Sequence, residues 1–250
     1  MGAFRSLKPN PVARGGQALR TGTSWLLAAL LCSPAAAGAW AQSIVAKVPA
    51  KVDPKARYLF YLHGRIVQDQ QNARPRHERF GYYEYEKILR AFADRGFTVI
   101  SEIRARDATV DAYARKVADQ VRTLIRAGVP SHRITVLGAS MGGAMALFAS
   151  GYLQSPGVNF VILAGCSQSV FASLDQQGLR VSGNVLSVTE NSDESVEPCE
   201  GFLKARPSKT IGSTRSIRLT TGLAHGFLYR PLSEWVNPVI AWADEMAAAK

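Results

Sequence analysis

From Tyr58 onward the chain alternates short apolar runs with longer amphipathic segments, and this alternation restricts its fold more than any other feature. The runs at 58–62, 97–100, 134–137, 160–163 and 184–189 have the length of buried strands. The segments 85–95 and 111–127 repeat apolar residues at helical spacing and end at Gly96 and Gly128, where glycine suits a helix C-terminus. The pattern predicts an α/β fold, a mostly parallel sheet with helices on both faces in a three-layer sandwich. An alternating run at 215–219 predicts an edge strand, and 233–248 predicts a last helix.

The first 41 residues differ in composition from the rest of the chain. They contain four basic and no acidic residues, an apolar core at 25–31 and a run of small residues at 33–41. This layout is typical of a secretory signal, here with a cleavage site at Ala41, and the apolar core is too short to span a bilayer. Lipid attachment at Cys32 is a second interpretation, although Leu31 stands where a small residue is expected. We predict a signal segment at 1–41, one domain at 42–250, and a periplasmic or secreted protein without a membrane span after processing.

The charge and the motifs of the chain exclude several function classes. The formal net charge of +11 falls to +7 without the first 41 residues, and no basic tract with interleaved aromatics of the nucleic-acid type occurs. The four histidines are dispersed, and neither His-x-x-x-His nor Cys-x-x-Cys is present. No phosphate-binding or dinucleotide-binding glycine pattern follows a strand. The sequence therefore predicts a protein without nucleic-acid partner, metal or cofactor.

Ser140 is the strongest candidate for a catalytic residue. It lies at the centre of Gly138-Ala139-Ser140-Met141-Gly142, directly after the apolar run 134–137 and directly before a stretch of small residues. A pentapeptide Gly-x-Ser-x-Gly between a strand and a helix is typical of a nucleophile elbow, a sharp turn that exposes the serine hydroxyl. An ordinary tight turn is the alternative interpretation of this pattern.

On these residues the chain resembles the α/β-hydrolase superfamily, in which the order nucleophile, acid, histidine is expected. His225 is the only histidine after Ser140, so the resemblance implies that it is the general base. The acid is expected just past a parallel strand, and Asp193 follows the run 184–189, with Glu190 and Glu194 as alternatives. The resemblance further implies an oxyanion hole formed by the backbone N–H of Met141 and by one N–H from the loop 63–65, for which we choose Arg65.

Two departures from the superfamily pattern bear on the active site. Residues 42–57 leave room for at most one short strand, and the connection between 164 and 184 is too short for a large cap. We therefore expect an open cleft, as in small esterases and in proteins of the size of dienelactone hydrolases, which use cysteine as nucleophile. Several arginines near the predicted mouth could select an anionic ester; the alternative is that they are solvated or paired with carboxylates. These are Arg65, Arg74, Arg76, Arg79 and Arg104.

The sequence thus predicts a secreted or periplasmic serine hydrolase that cleaves small carboxylic esters through an acyl-enzyme on Ser140. A serine peptidase or amidase on the same fold, and a catalytically silent binding protein of the cell envelope, are the alternatives. Cys166 and Cys199 both follow predicted strands, which would bring them to the same edge of the sheet. In an oxidising compartment they form a disulfide or remain two free thiols.

Overall fold

A computed structural model describes residues 44–248 of the chain. The predicted signal segment, its cleavage site at Ala41 and the candidate lipidation site Cys32 lie outside these residues. In chain order, the strands are β1 (Ile44–Val45), β2 (Arg57–Leu62), β3 (Arg76–His77), β4 (Gly81–Tyr82), β5 (Phe97–Ile100), β6 (Ile134–Ala139), β7 (Asn159–Leu163), β8 (Gly183–Glu190) and β9 (Ile211–Leu219). The helices are α1 (Arg65–Gln70), α2 (Tyr85–Ala93), α3 (Val110–Arg126), α4 (Met141–Leu153), α5 (Gln168–Gln176), α6 (Cys199–Ala205) and α7 (Ser233–Ala248), with short 3-10 helices at Ser131–Arg133 and Ala224–Tyr229.

Seven of the strands form one sheet in the spatial order β1-β5-β2-β6-β7-β8-β9, and every pairing in it is parallel. The predicted parallel sheet is therefore confirmed, and the predicted strands and long helices are present with ends that differ by a few residues at most. Because the strands run in one direction, the loops that follow β2, β6, β8 and β9 all leave from the same edge of the sheet. This edge carries every residue of the predicted site.

The core has two parts, one on each face of the sheet. Alternate side chains of β2 point to opposite faces, so that Leu59 and Tyr61 join one part while Tyr58, Phe60 and Leu62 join the other. Helices α2 and α7 cover the first face, and α3, α4, α5 and α6 cover the second. This confirms the predicted three-layer sandwich. Helix α4 is buried over most of its length, which fixes the position of its first turn at the functional edge.

Two features of the fold concern the cleft. No element of cap size is inserted between β7 and β8 in residues 44–248, because only the nine-residue α5 connects them. In contrast, the segment after β2, predicted to be a loop, forms α1 and the antiparallel hairpin of β3 and β4. At the N-terminal side, the expected short strand is β1, which pairs in parallel with β5.

Candidate active site

Ser140 occupies a sharp turn between β6 and α4. Its backbone has a positive φ of 54° with ψ of −118°, which is an uncommon and strained conformation for a residue other than glycine. The Ser140 N–H donates a hydrogen bond of 2.8 Å to the carbonyl oxygen of Leu163, which ties the turn to the end of β7. The structure thus has the strand, turn and helix expected of a nucleophile elbow.

The turn requires glycine at position 142, because the first turn of α4 lies directly against the end of β2. A Cβ atom at Gly142 would overlap the backbone carbonyl of Leu62, and backbone cannot move aside as a flexible side chain can. We expect Gly142→Ala to lower the free energy of unfolding by more than about 3 kcal/mol, the upper end of typical overpacking costs. Thermal unfolding measures this as a decrease in Tm of about 6–12 °C.

Gly201→Ala is the matched control for this prediction. Gly201 lies in α6, and a Cβ there would have no atom within 4 Å. Because alanine favours the helix over glycine by roughly 1 kcal/mol, the control is expected to be neutral or slightly stabilising. A Gly142→Ala protein with the Tm of the control would contradict the close packing described for the turn.

The predicted nucleophile, base and acid lie in one line of hydrogen bonds. The distance from Ser140 Oγ to His225 Nε2 is 2.9 Å, and that from His225 Nδ1 to Asp193 Oδ2 is 2.6 Å. The Asp193 side chain is almost fully buried, whereas the His225 side chain is 23% exposed at the cleft. Since a carboxylate can only accept, Nδ1 carries the proton and Nε2 is left to accept the serine proton.

Of the three candidate acids, only Asp193 contacts the imidazole. Its other oxygen, Oδ1, accepts bonds from the Ser195 N–H (3.1 Å) and hydroxyl (2.5 Å), which orient the carboxylate. Glu194 is exposed and has no bond to His225. Glu190, at the end of β8, is buried but directs its carboxylate to the neighbouring backbone.

The predicted oxyanion donors, Met141 and Arg65, are the first residues of α4 and α1. An N–H at the first position of a helix has no carbonyl partner within that helix, so both groups are available to a ligand. The two helix starts are close together, because a methyl group at Gly64 would lie 3.9 Å from Ser140 Cβ. The first turns of both helices thus lie beside the serine.

A buried network fixes the loop that carries Arg65. His63 Nε2 accepts the N–H of Arg104 (3.1 Å), and His63 Nδ1 lies 2.9 Å from the Gly64 carbonyl oxygen. Burial, together with the nearby Arg104 cation, lowers the His63 pKa to about 3, so this ring is neutral in the folded protein. The Arg104 guanidinium donates to the His63 carbonyl (2.6 Å) and to Gln68 Oε1 (2.9 Å).

These contacts correct the prediction that Arg104 lines the mouth of the cleft. Its side chain is 1% exposed and joins the loop after β5 to the loop after β2. Arg74 is paired with Glu84, which agrees with the alternative interpretation that these arginines are paired with carboxylates. Arg79 lies over the ring of Phe80. Of the five arginines proposed for the rim, Arg65 and Arg76 contribute to the wall of the cleft.

The cleft next to Ser140 and His225 has a volume of about 510 Å³, within the range of small-molecule sites. Its apolar wall is formed by Ile66, Tyr83, Leu228 and Tyr229, and its polar rim by both acidic and basic side chains. The hairpin of β3 and β4 contributes His77, whose ring stacks on Phe80. The rim contains Arg65, Asp69, Arg76 and Glu78.

Cys166 and Cys199 form a disulfide, with their Cα atoms 5.3 Å apart. The first follows β7 and the second begins α6, so the bond closes a ring of chain that contains all of β8 and the loop with Asp193. The Glu197 N–H also donates to the Cys166 carbonyl (3.2 Å). Of the two alternatives left open by the sequence, the structure has the bridge.

Replacing both cysteines with serine is expected to destabilise the protein. For a sequence separation of 33 residues, the loop-entropy model gives a loss of about 3 to 4 kcal/mol, equivalent to a Tm lower by about 10 °C. Thermal unfolding of the variant and of the reduced wild type should give the same shift. Alkylation of Cys166 and Cys199 in native, unreduced protein would contradict the bridge.

The described part of the chain contains neither a metal site nor a membrane-spanning helix. Within residues 44–248, no three His, Cys, Asp or Glu side chains come together as a metal site would require. Over the same range, no helix combines the length and apolar character needed to cross a membrane.

The model of a family described as phospholipase/carboxylesterase matches residues 92–229, more than half of the chain, including Ser140, Asp193 and His225. The chain belongs to the phospholipase/carboxylesterase family. The resemblance to the α/β-hydrolase superfamily is thereby confirmed, and this membership supports ester hydrolysis in general as the activity. No curated protein matches the chain.

Two solved structures have a similar fold. SOBER1 from Arabidopsis thaliana has a TM-score of 0.52 at 12% identity, over 77% of this chain and 99% of its own. Est1E from Butyrivibrio proteoclasticus has a TM-score of 0.51 at 14% identity, over 81% of this chain and 93% of its own. At these identities the likeness establishes the α/β-hydrolase fold alone.

Two groups of residues at the site could not be recognised from the sequence. Ser192 and Ser195, in the loop of Asp193, hydrogen-bond to carboxylates two residues before them, a local pattern typical of acidic turns that the sequence contains. Leu228 and Tyr229 line the cleft through tertiary packing, for which the sequence holds no comparable signal.

Proposed function

We propose that the protein is a serine esterase that cleaves small carboxylic esters through an acyl-enzyme on Ser140. The observation that carries the proposal is the line of hydrogen bonds from Ser140 through His225 to Asp193, at 2.9 and 2.6 Å. A serine hydroxyl becomes an effective nucleophile when an adjacent base accepts its proton, and the base needs a third group to hold its ring. Family membership supports an ester as the substrate.

In the first half of the proposed reaction, Ser140 Oγ attacks the ester carbonyl carbon while His225 Nε2 takes the hydroxyl proton. Asp193 stabilises the imidazolium that forms, without itself accepting the proton. The N–H groups of Met141 and Arg65 donate to the oxyanion of the tetrahedral intermediate. His225 then gives the proton to the leaving alcohol. In the second half, water attacks the acyl carbon while His225 Nε2 takes a water proton, and His225 then returns this proton to Ser140 Oγ as the carboxylic acid leaves.

The proposed substrate is a small molecule without selection for an anion. Arg65 and Arg76 would attract a negative group, but Asp69 and Glu78 line the same cleft and offset them. The open cleft and the apolar wall fit an ester of moderate size with an apolar portion. Measuring kcat/KM for matched neutral and anionic esters at low and high salt tests this lack of selection. A kcat/KM that falls strongly with salt for the anionic ester alone would indicate that the arginines attract the anionic substrate.

Labelling with a fluorophosphonate probe tests the proposed nucleophile. Native protein is expected to be labelled on the peptide that contains Ser140, and heat-denatured protein is expected to remain unlabelled. Labelling accompanied by turnover of simple carboxylic esters supports the proposal. Labelling with turnover of amides only would favour a peptidase or amidase, and the absence of both labelling and turnover would favour a silent binding protein.

We further propose that the chain is exported and processed near Ala41, which leaves one catalytic domain at 42–250. The pattern of residues 1–41 supports export, and the bond between Cys166 and Cys199 fits an oxidising compartment. Expression of the full chain in a bacterium, followed by intact-mass measurement of the periplasmic extract, should give a protein that begins at Gln42. A membrane-bound product beginning at a lipidated Cys32, or a cytoplasmic product of full length, would contradict this proposal.

A further inference from the structure

Glu190 is a buried carboxylate that the proposed mechanism does not use. It ends β8 and is 3% exposed, yet no cation is paired with it in residues 44–248. Five hydrogen bonds from neutral donors satisfy it instead. Oε2 accepts from the Thr221 N–H (2.8 Å) and hydroxyl (2.8 Å), and Oε1 accepts from the Ser192 N–H (3.2 Å), the Ser192 hydroxyl (3.1 Å) and the Gly222 N–H (3.3 Å).

The donors come from the two loops that carry the acid and the base. Ser192 directly precedes Asp193, and Thr221 and Gly222 precede His225 by three or four residues. The connection continues through Ser192, whose hydroxyl donates to Glu190 and accepts the Ala224 N–H at 3.1 Å. Ala224, the residue before His225, has a positive φ of 46°, a strained conformation that its surroundings must hold.

We propose that Glu190 is a positioning residue that locks the Asp193 loop to the His225 loop and so sets the distance between acid and base. This inference rests on the proposed esterase function. The Glu190 carboxylate has no hydrogen bond to His225, and therefore acts through Ser192 and Thr221 rather than on the reacting atoms. One buried anion that accepts from both loops fixes their separation more tightly than neutral contacts would, because bonds to an ionised acceptor are shorter and stronger.

The ionisation of Glu190 is consistent with this role. Burial alone would raise its pKa, but the bonds from Thr221 and Ser192 outweigh burial and bring the pKa to about 2. Because this value lies below that of an unfolded glutamate, the stabilising contribution is complete above about pH 5 and is lost as the pH falls toward 2. The lock is therefore present at every pH at which a serine hydrolase with a histidine base would work.

Glu190→Gln tests the proposal, because the amide keeps the shape of the side chain but presents an NH₂ group to N–H donors. We expect kcat for ester hydrolysis to fall about 100-fold, the size of effect that a shift of about 1 Å at a catalytic group produces, with KM within about threefold of wild type. The second-order rate of fluorophosphonate labelling should fall in parallel with kcat, since it reports the reactivity of Ser140 itself.

Asp111→Asn is the matched control, since Asp111 is also a carboxylate of lowered pKa with hydrogen bonds, mainly from Tyr152. Tyr152 lies at the end of α4 that is remote from Ser140, so this control should leave kcat unchanged. A second pair of variants tests the connection through the Ser192 hydroxyl. Ser192→Ala should lower kcat about tenfold, whereas Ser192→Thr, which keeps the hydroxyl, should have the kcat of wild type. If Glu190 served stability alone, Glu190→Gln would have a lower Tm, but the folded variant would keep the kcat of wild type.

The outcomes separate this inference from the proposed function. Wild-type protein that is neither labelled nor active contradicts the esterase proposal itself. A second outcome is that the wild type is labelled and active, and that Glu190→Gln has a labelling rate and a kcat within threefold of the wild-type values. This result overturns the positioning role and leaves the esterase proposal intact. If Glu190→Gln does not fold, the Ser192 pair decides, and equal kcat in Ser192→Ala and Ser192→Thr overturns the inference.

Discussion

Replacing Ser140 with alanine is expected to lower kcat for ester hydrolysis by about 10⁵- to 10⁶-fold, as removal of the nucleophile does in serine hydrolases. The reason is that, in residues 44–248, Ser140 has the only hydroxyl that is hydrogen-bonded to His225 Nε2, the nitrogen opposite Asp193. The residual rate over water should come from the oxyanion donors and from substrate binding. Steady-state kinetics with a chromogenic ester measures this loss.

The Ser140→Ala protein should fold normally, which separates a chemical effect from unfolding. Ser140 precedes α4, but its side chain forms no capping bond with the helix, so loss of the hydroxyl removes only the bond to His225. Alanine accepts the positive φ at about the same cost as serine. Ser173→Ala is the control, because Ser173 is a partly exposed serine of α5 that bonds to its own helix. A Ser140→Ala variant with a kcat within a factor of ten of wild type would exclude the acyl-enzyme.

Asp193→Asn is expected to lower kcat by about 10⁴-fold with little change in KM. The carboxylate accepts the proton on His225 Nδ1 at 2.6 Å, which leaves Nε2 free to accept the proton of Ser140. An asparagine NH₂ group in this place would instead donate to Nδ1, so that the remaining ring proton would move to Nε2 and face the serine. The ring would then be the wrong tautomer for a general base.

Glu194→Gln is the matched control for Asp193→Asn. Glu194 is the adjacent carboxylate, and it is exposed, so its neutralisation should leave kcat within about twofold of wild type. The comparison also tests the alternative acids that the sequence left open. Retention of kcat in Asp193→Asn, with its loss in Glu190→Gln, would reassign the acid to Glu190 and contradict the arrangement described here.

The sheet could be predicted from the sequence because its signals are local. Each strand is a short apolar run, and the helices between them have apolar residues at helical spacing and glycines at their ends, as at Gly96 and Gly128. Ser140 and His225 could be chosen from the order of residue types, since one elbow pattern and one later histidine are present. Asp193 could be chosen because an acid that follows a parallel strand lies at the same edge of the sheet.

Contacts between distant segments could not be predicted in this way. Arg104 follows β5, and its position in the sequence is compatible with the mouth of the cleft. Its partners His63 and Gln68, however, lie about 40 residues earlier in the chain and hold the guanidinium in the interior. Glu190 was an alternative acid in the sequence. Its role depends on Thr221, which approaches only because β9 pairs with β8.

The hairpin of β3 and β4 lies outside the main sheet and yet supplies part of the wall of the cleft, through Arg76 and His77. The residues of the proposed proton transfer are held instead by the loops after β6, β8 and β9. The two parts are nevertheless in contact, because a Cβ at Gly226, next to His225, would lie 2.9 Å from the Phe80 ring, and the rings of His77 and Phe80 both contact that of Tyr229. A change in the sequence or length of the hairpin would therefore reach the segment of the base as well as the wall of the cleft. Relatives that differ only in this insert would be expected to differ in turnover rate as well as in the esters that they accept.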